Sequence, residues 1–141
     1  MYCGAGTIGL TMADRVNSLI GVEIVPEAVE DAKINAKLNN AENARFICAD
    51  AAEAAKTLEN EGIHPDTVIL DPPRKGCERS LLETVVKMDP QRIVYVSCDP
   101  ATLARDLAIL EENGYKTQTA IPFDLFPRTI HIECVTYLIK E

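Results

Sequence analysis

Apolar residues fall along the chain in two kinds of block, and the two kinds alternate. Runs rich in branched and aromatic residues, too short for helices, occupy 18–23, 44–48, 67–70, 92–98, 115–120 and 131–139. Each is flanked by turn-forming residues, which reads as a strand. Between them, apolar positions recur every three or four residues. Ala28, Val29, Ala32 and Ala36 share one face of a helix opened by Pro26 and ending near Asn39-Asn40. A second helix is predicted from Ala51 to near Glu61, and a third carries Leu81, Leu82, Val85 and Val86 and is closed by Pro90. A fourth starts on Asp99-Pro100, an N-cap followed by a residue suited to the first helical position. It stops at Asn113-Gly114, with Leu103, Leu107 and Leu110 on its buried face. Strand and helix alternate until the last strand, which is reached without a helix. The pattern predicts a doubly wound α/β sheet with an antiparallel final strand. Polar residues alternating through 115–120 place that strand at a sheet edge.

The opening Met1-Tyr2-Cys3-Gly4-Ala5-Gly6-Thr7-Ile8-Gly9-Leu10 is a glycine-rich turn feeding a short helix. Glycines suit a backbone that must approach a ligand closely, which makes Gly4 and Gly6 candidate cofactor-binding positions. Such a turn should follow a strand, yet only three residues precede Gly4. The expectation is that the first strand is largely missing and that the chain is a fragment of something longer.

Chemistry concentrates where strands end, the edge of an open α/β sheet at which ligands bind. Cys98 lies between a strand and a helix N-terminus, whose dipole favours thiolate while Asp99 opposes it; the alternative is one more small buried residue. Glu23, at a strand tip one βα unit after the glycine turn, is placed to hold a ribose diol or to be a solvated loop carboxylate. Asp50 is placed to accept from an adenine amino group or to cap the helix that follows. Asp71 precedes Pro72-Pro73, a rigid loop start that suits a pre-organised acceptor for a ligand N–H. Glu133 is the one acid of the last strand, either functional or solvent-facing on an edge, and His131 reads as a surface residue at a loop end.

Composition narrows the class. One domain of 141 residues, 47% apolar and 26% charged, has ample core-forming residues. No apolar run approaches about 18 residues and no signal-peptide pattern opens the chain, so a cytoplasmic, non-membrane protein is expected. Five cysteines without CxxC or zinc-like spacing suggest reduced thiols and no metal site. A net charge of −8 argues against this chain alone gripping a nucleic-acid backbone.

Four motifs in order carry a resemblance. They are Tyr2-Cys3-Gly4-Ala5-Gly6, Asp71-Pro72-Pro73-Arg74, Val96-Ser97-Cys98-Asp99-Pro100-Ala101-Thr102 and Phe126-Pro127-Arg128-Thr129-Ile130-His131-Ile132-Glu133. The chain resembles, from Tyr2 to its end, the C-terminal catalytic domain of the RNA uracil-C5 methyltransferases, which use S-adenosylmethionine (SAM). The likeness is nearest to the bacterial 23S rRNA enzymes, and the tRNA enzymes share the motifs. It implies a class I SAM-dependent methyltransferase (Rossmann-like) fold over residues 1–141. It also implies Cys98 as nucleophile and Glu133 as base, with Tyr2, Thr7, Glu23 and Asp50 at cofactor-contacting positions. Asp71 would lie near both cofactor and target base. The N-terminal RNA-binding and middle regions of such enzymes are absent, so RNA, rRNA before tRNA, would be gripped mainly elsewhere. An unpaired sheet edge would then favour pairing with a second copy.

Three rivals are weaker. Gly4-x-Gly6-x-x-Gly9 with a later acid also fits a nicotinamide-dinucleotide oxidoreductase, which needs no Asp-Pro-Pro-Arg and no strand-tip cysteine. A catalytically silent cofactor- or RNA-binding fragment would have no need of Cys98 and Glu133. RNA cytosine-C5 methyltransferases also use a cysteine, but in other contexts.

Overall fold

The computed structural model describes residues 1–125 and 127–141; Phe126, which opens the fourth motif, lies outside the described residues. The chain divides into two compact units, Met1–Ala54 and Ala55–Glu141.

In the first unit the glycine turn leads into α1 (Thr7–Leu10) and a 3-10 turn at Ala13–Arg15. β1 (Leu19–Glu23), α2 (Pro26–Leu38) and β2 (Ala44–Cys48) follow as a βαβ crossover. The two strands are parallel, from Leu19 opposite Ala44 to Glu23 opposite Cys48. Helix α2 starts on Pro26 and buries Val29, Ala32 and Ala36, as the spacing predicts, while Ala28 is only half-buried. Gly21 lies across from Phe46, and a Cβ there would stand 2.5 Å from the Phe46 ring. The missing side chain is what lets the aromatic ring cover the strand. Helix α3 (Ala51–Asn60) begins in this unit and runs into the next.

The second unit holds β3 (Thr67–Leu70), α4 (Arg79–Lys87), β4 (Arg92–Ser97), α5 (Pro100–Glu112), β5 (Tyr115–Phe123) and β6 (Glu133–Lys140). Its sheet runs in the order β3-β4-β6-β5. β3 and β4 are parallel, and β6 is antiparallel to both β4 and β5. Leu70, Ile93, Tyr95 and Leu138 from the sheet and Leu81, Leu82, Val85 and Leu110 from α4 and α5 are fully buried. Apolar transfer at roughly 25 cal/mol per Å² makes these side chains the main favourable contribution to this unit.

The alternation of elements and the antiparallel last strand follow the sequence pattern, with four differences. The strands divide between two sheets rather than joining one, and residues 1–3 form no strand but contribute a ladder-like bond, Cys3 N–H to Val22 O at 2.9 Å. The last strand starts at Glu133 and lies inside its sheet, so the edge reading of Glu133 is overturned. β5, the edge strand, continues past Ala120 to Phe123 around an irregularity between Thr117 and Thr119. Pro122 is tolerated there because an edge strand has one side without a ladder. Finally, α5 buries Leu103, Asp106 and Leu110, with Leu107 only half-buried. Among the described residues no helix is long and apolar enough to cross a membrane.

Candidate active site

In the first unit the glycine turn is held from three sides. Tyr2, Gly4 and Gly6 take positive φ values of 59°, 51° and 81°, so the chain coils tightly before α1. Gly4 N–H donates to Glu23 Oε2 at 2.9 Å. Asn35 of α2 donates from Nδ2 to Ala5 O at 3.0 Å. A Cβ on Gly6 would lie 3.0 Å from the Phe46 ring, whereas one on Gly4 would meet nothing within 4 Å. The turn is thus seated on protein at Gly6 and open at Gly4, with Thr7 exposed beside it.

Glu23 is half-buried and anchored by backbone donors. Besides Gly4 it accepts from Ile24 N–H at 2.8 Å and Val25 N–H at 3.1 Å through Oε1. Three backbone donors fix the strand-tip acid and the turn as one object. Two carboxylate oxygens offer about four acceptor directions, so acceptor capacity remains for hydroxyl groups of a ligand. Asp50 caps α3, its Oδ1 accepting from Ala52 N–H at 2.9 Å and Glu53 N–H at 3.3 Å. An open glycine turn with fixed acids at the two following strand tips fits an adenosine-bearing group such as SAM in its donor and acceptor chemistry.

In the second unit the β4–β6 register pairs Ser97 with Cys134. Continued by one step, it sets Cys98 across from Glu133, and residues directly opposite share a face of an antiparallel pair. Both are half-buried. On its other side Glu133 pairs with Phe123 of β5, so the acid is held between two strands. Asp71 follows β3 directly. Burial, and then the neighbouring Glu133 charge, push its carboxyl above the usual range. Asp99 goes the other way: N–H groups of Thr102 and Ala101 hold its carboxylate below that range, at 3.1 and 2.9 Å to Oδ1. The turn between β4 and α5 is tied as well by Ser97 Oγ, which donates to Asp99 O at 2.9 Å and accepts from Asp99 N–H at 3.1 Å. Cys98 therefore sits on a short, doubly bonded corner.

Arg74 Nη2 lies 3.1 Å from His131 Nε2. His131 thus joins the Asp-Pro-Pro-Arg loop to the segment before Glu133, a closer association with the site than a surface loop end implies. Thr102 donates to Arg74 O, Arg105 to Lys75 O, and Asp106 accepts from Cys77 N–H and from the Tyr95 hydroxyl; the sequence reading assigned none of these four a role. The available signal was an acid on the apolar stripe of α5, three residues after Leu103 and four before Leu110.

A parallel α/β arrangement whose sheet takes an antiparallel strand between its last two members is the fold of class I SAM-dependent methyltransferases. A precorrin-6y C5,15-methyltransferase from Geobacter metallireducens shares this fold, with a TM-score of 0.80 at 16% identity over 99% of this chain and 77% of its own. The profile described as tRNA (Uracil-5-)-methyltransferase matches residues 1–141, and the chain belongs to that family. It is 55% identical over 137 residues to an RNA methyltransferase of Bacillus cereus, covering 97% of this chain and 30% of that protein. It is 52% identical over 140 residues to one of Clostridium acetobutylicum, covering 99% and 30%. The solved Pyrococcus abyssi tRNA (uracil-54, C5)-methyltransferase, in complex with S-adenosyl-L-homocysteine, is similar at 36% identity and a TM-score of 0.84, covering 99% of this chain and 33% of that one. The chain therefore spans about a third of the length of these relatives.

Proposed function

We propose that this chain is the catalytic domain of an SAM-dependent RNA uracil-C5 methyltransferase, with Cys98 as nucleophile and Glu133 as general base. The observation that supports the reading is the β4–β6 register, whose last pair is Ser97 and Cys134, with Cys98 next after the one and Glu133 next before the other. Uracil C5 is a poor nucleophile. When Cys98 Sγ, as thiolate, bonds to C6, the C5=C6 pair moves into an enolate and C5 gains carbanion character. SAM, when bound, supplies the electrophilic methyl group that C5 takes. Glu133 then accepts the C5 proton, the electrons re-form C5=C6, and the C6–Sγ bond breaks. Asp71, half-buried beside Glu133, accepts from an N–H of the target base. Tyr2, Gly4, Gly6, Thr7, Glu23 and Asp50 hold SAM. The base must leave its stack to reach such a site.

The acidic balance supports RNA being gripped mainly outside these 141 residues, by regions such as those that make up the rest of the Bacillus cereus relative. The motif likeness favours 23S rRNA as substrate. A tRNA uracil is the second reading, favoured by the named activity of the Pyrococcus abyssi relative.

The test uses the intact protein, SAM and 5-fluorouridine-substituted rRNA and tRNA. Fluorine does not leave C5 as a proton does, so a stable protein–RNA adduct should form on one RNA. It should vanish with Cys98→Ala, whose turnover falls by a factor on the order of 10³ or more. Glu133→Gln should instead accumulate a methylated adduct on ordinary uridine RNA. An unmodified protein that forms no adduct with either RNA overturns the mechanism.

A further inference from the structure

We propose that Asp106 is a positioning residue that indexes the Asp71–Arg74 loop to the Cys98 corner, so that the acid at one strand tip and the thiol at the next are set by one buried carboxylate. This rests on the roles given above to Asp71 and Cys98.

Asp106 is on the second turn of α5 and is 0% exposed. Three hydrogen bonds and an ion-pair contact satisfy it. Oδ2 accepts from Cys77 N–H at 2.7 Å and from the Tyr95 hydroxyl at 2.5 Å. Oδ1 accepts from Arg105 Nε at 2.8 Å and lies 2.7 Å from Arg105 Nη2. The same guanidinium reaches on to Lys75 O at 3.0 Å and Cys77 O at 3.3 Å. One turn earlier, Thr102 Oγ1 lies 3.1 Å from Arg74 O as donor. Thus residues 102, 105 and 106 of α5 grip the backbone of residues 74, 75 and 77. The loop's own turn, Gly76 N–H to Pro73 O at 2.8 Å, closes it upstream toward Asp71.

Gly76 shows how closely the loop is seated. It has φ +75°, and a Cβ there would stand 2.5 Å from Arg105 Nη2 and 2.6 Å from Asp106 Oδ2. The backbone lies directly on the ion pair, leaving no room for a looser docking. Tyr95, on β4 three residues before Cys98, completes the link. Burial first, with the Cys77 thiol and Asp106 adding to it, keeps its phenol protonated and therefore a donor. A buried charge is a poor choice for stability alone, since apolar residues of similar volume often do as well or better. What a carboxylate supplies, and leucine does not, is directional acceptance of a backbone N–H from the loop and a hydroxyl from the strand that ends at the nucleophile.

The decisive measurement is single-turnover and steady-state kinetics of the intact protein with SAM and uridine RNA, and adduct formation with the 5-fluorouridine RNA. Asp106→Asn should lower kcat and the adduct rate about 10- to 100-fold, the scale of a misplacement near 1 Å, with KM for RNA within about threefold. The fall should persist far below the variant's melting temperature, where a purely structural role predicts normal kcat. If Asp106→Asn does not fold, Thr102→Val decides. It removes the hydroxyl that lies 3.1 Å from the Arg74 carbonyl and 3.2 Å from the Asp99 carbonyl, and so unties the loop from the Cys98 corner; it should lower kcat about 3- to 10-fold. A folded Asp106→Asn, or failing that Thr102→Val, with kcat within twofold of the unmodified protein overturns this proposal alone. An unmodified protein that neither methylates uridine nor forms the adduct overturns it together with the function it rests on.

Discussion

Asp71 and Asp99 follow adjacent strands and are pushed in opposite directions. Asp99 accepts backbone N–H groups at the start of α5, and its charged form is favoured. Asp71 is half-buried, with the Glu133 charge close by, and its charged form is disfavoured. An acid whose folded value lies above its unfolded value, about 3.9 for Asp, binds its proton more tightly when folded. Its ionisation therefore weakens the fold as pH rises through the folded value, and below the unfolded value the penalty is absent. Asp71→Asn should accordingly raise the melting temperature at pH 7 and give little gain at pH 3, while lowering methyl transfer. Thermal melts at the two pH values check this, and a gain that is equal at both would exclude ionisation as the cause. Residues of this kind were partly legible in the sequence. Cys98 and Asp71 could be singled out because they follow strands, and strand ends are readable from apolar runs, whereas Glu133 stood out as the one acid of the last strand. The three backbone bonds that turn Glu23 into an anchor for Gly4 were not, because they depend on the path of the glycine turn.

Elements show the same division between local and non-local information. The capping of α5 by Asp99 was legible, since Asp-Pro before an apolar stripe is a local signal, and the cap bonds are present. Losing them in Asp99→Ala should fray the first turn, with faster amide exchange at Ala101 and Thr102 and unchanged exchange at Leu110. The position of β6 between β4 and β5 was not legible, because nothing in an apolar run says which neighbours it will find. Asp106 lies between these cases. Its spacing from Leu103 and Leu110 is that of the buried face, a signal the sequence reading did not use, and its partners come from residues 29 and 11 positions away. Gly76 carries the consequence for the loop element. Gly76→Ala must place a Cβ in a left-handed conformation, at about 1–2 kcal/mol, and against the Arg105–Asp106 pair as well. Chemical denaturation should show a loss larger than that backbone cost, whereas Gly62→Ala, also at positive φ but with nothing within 4 Å, should show the backbone cost alone. Equal losses at the two glycines would contradict close seating of the loop.

At the scale of the whole chain, buried volume is unevenly shared. Of the twelve largest fully buried side chains among the described residues, only Val22 and Val29 belong to the first unit. The rest, including Tyr95, Leu81, Leu82 and Met88, belong to the second. Full burial of such an apolar side chain contributes about 1.5–3 kcal/mol, and a two-stranded sheet has little stability of its own. The first unit should therefore open at lower free energy than the second, as a sub-global event. Native-state hydrogen exchange on the 141-residue chain should show amides of β1 and β2 exchanging through that event. Those of β3, β4 and β6 should wait for global unfolding. If the first unit binds SAM, ligand added to 100 times its dissociation constant should raise the opening free energy of β1 and β2 by about 2.7 kcal/mol. Protection of β4 should rise by the same amount, because global unfolding also releases the ligand. A single opening free energy shared by all the strands would show that the uneven burial does not divide the chain's stability. Protection by SAM confined to β3, β4 and β6 would move the cofactor contacts away from the glycine turn.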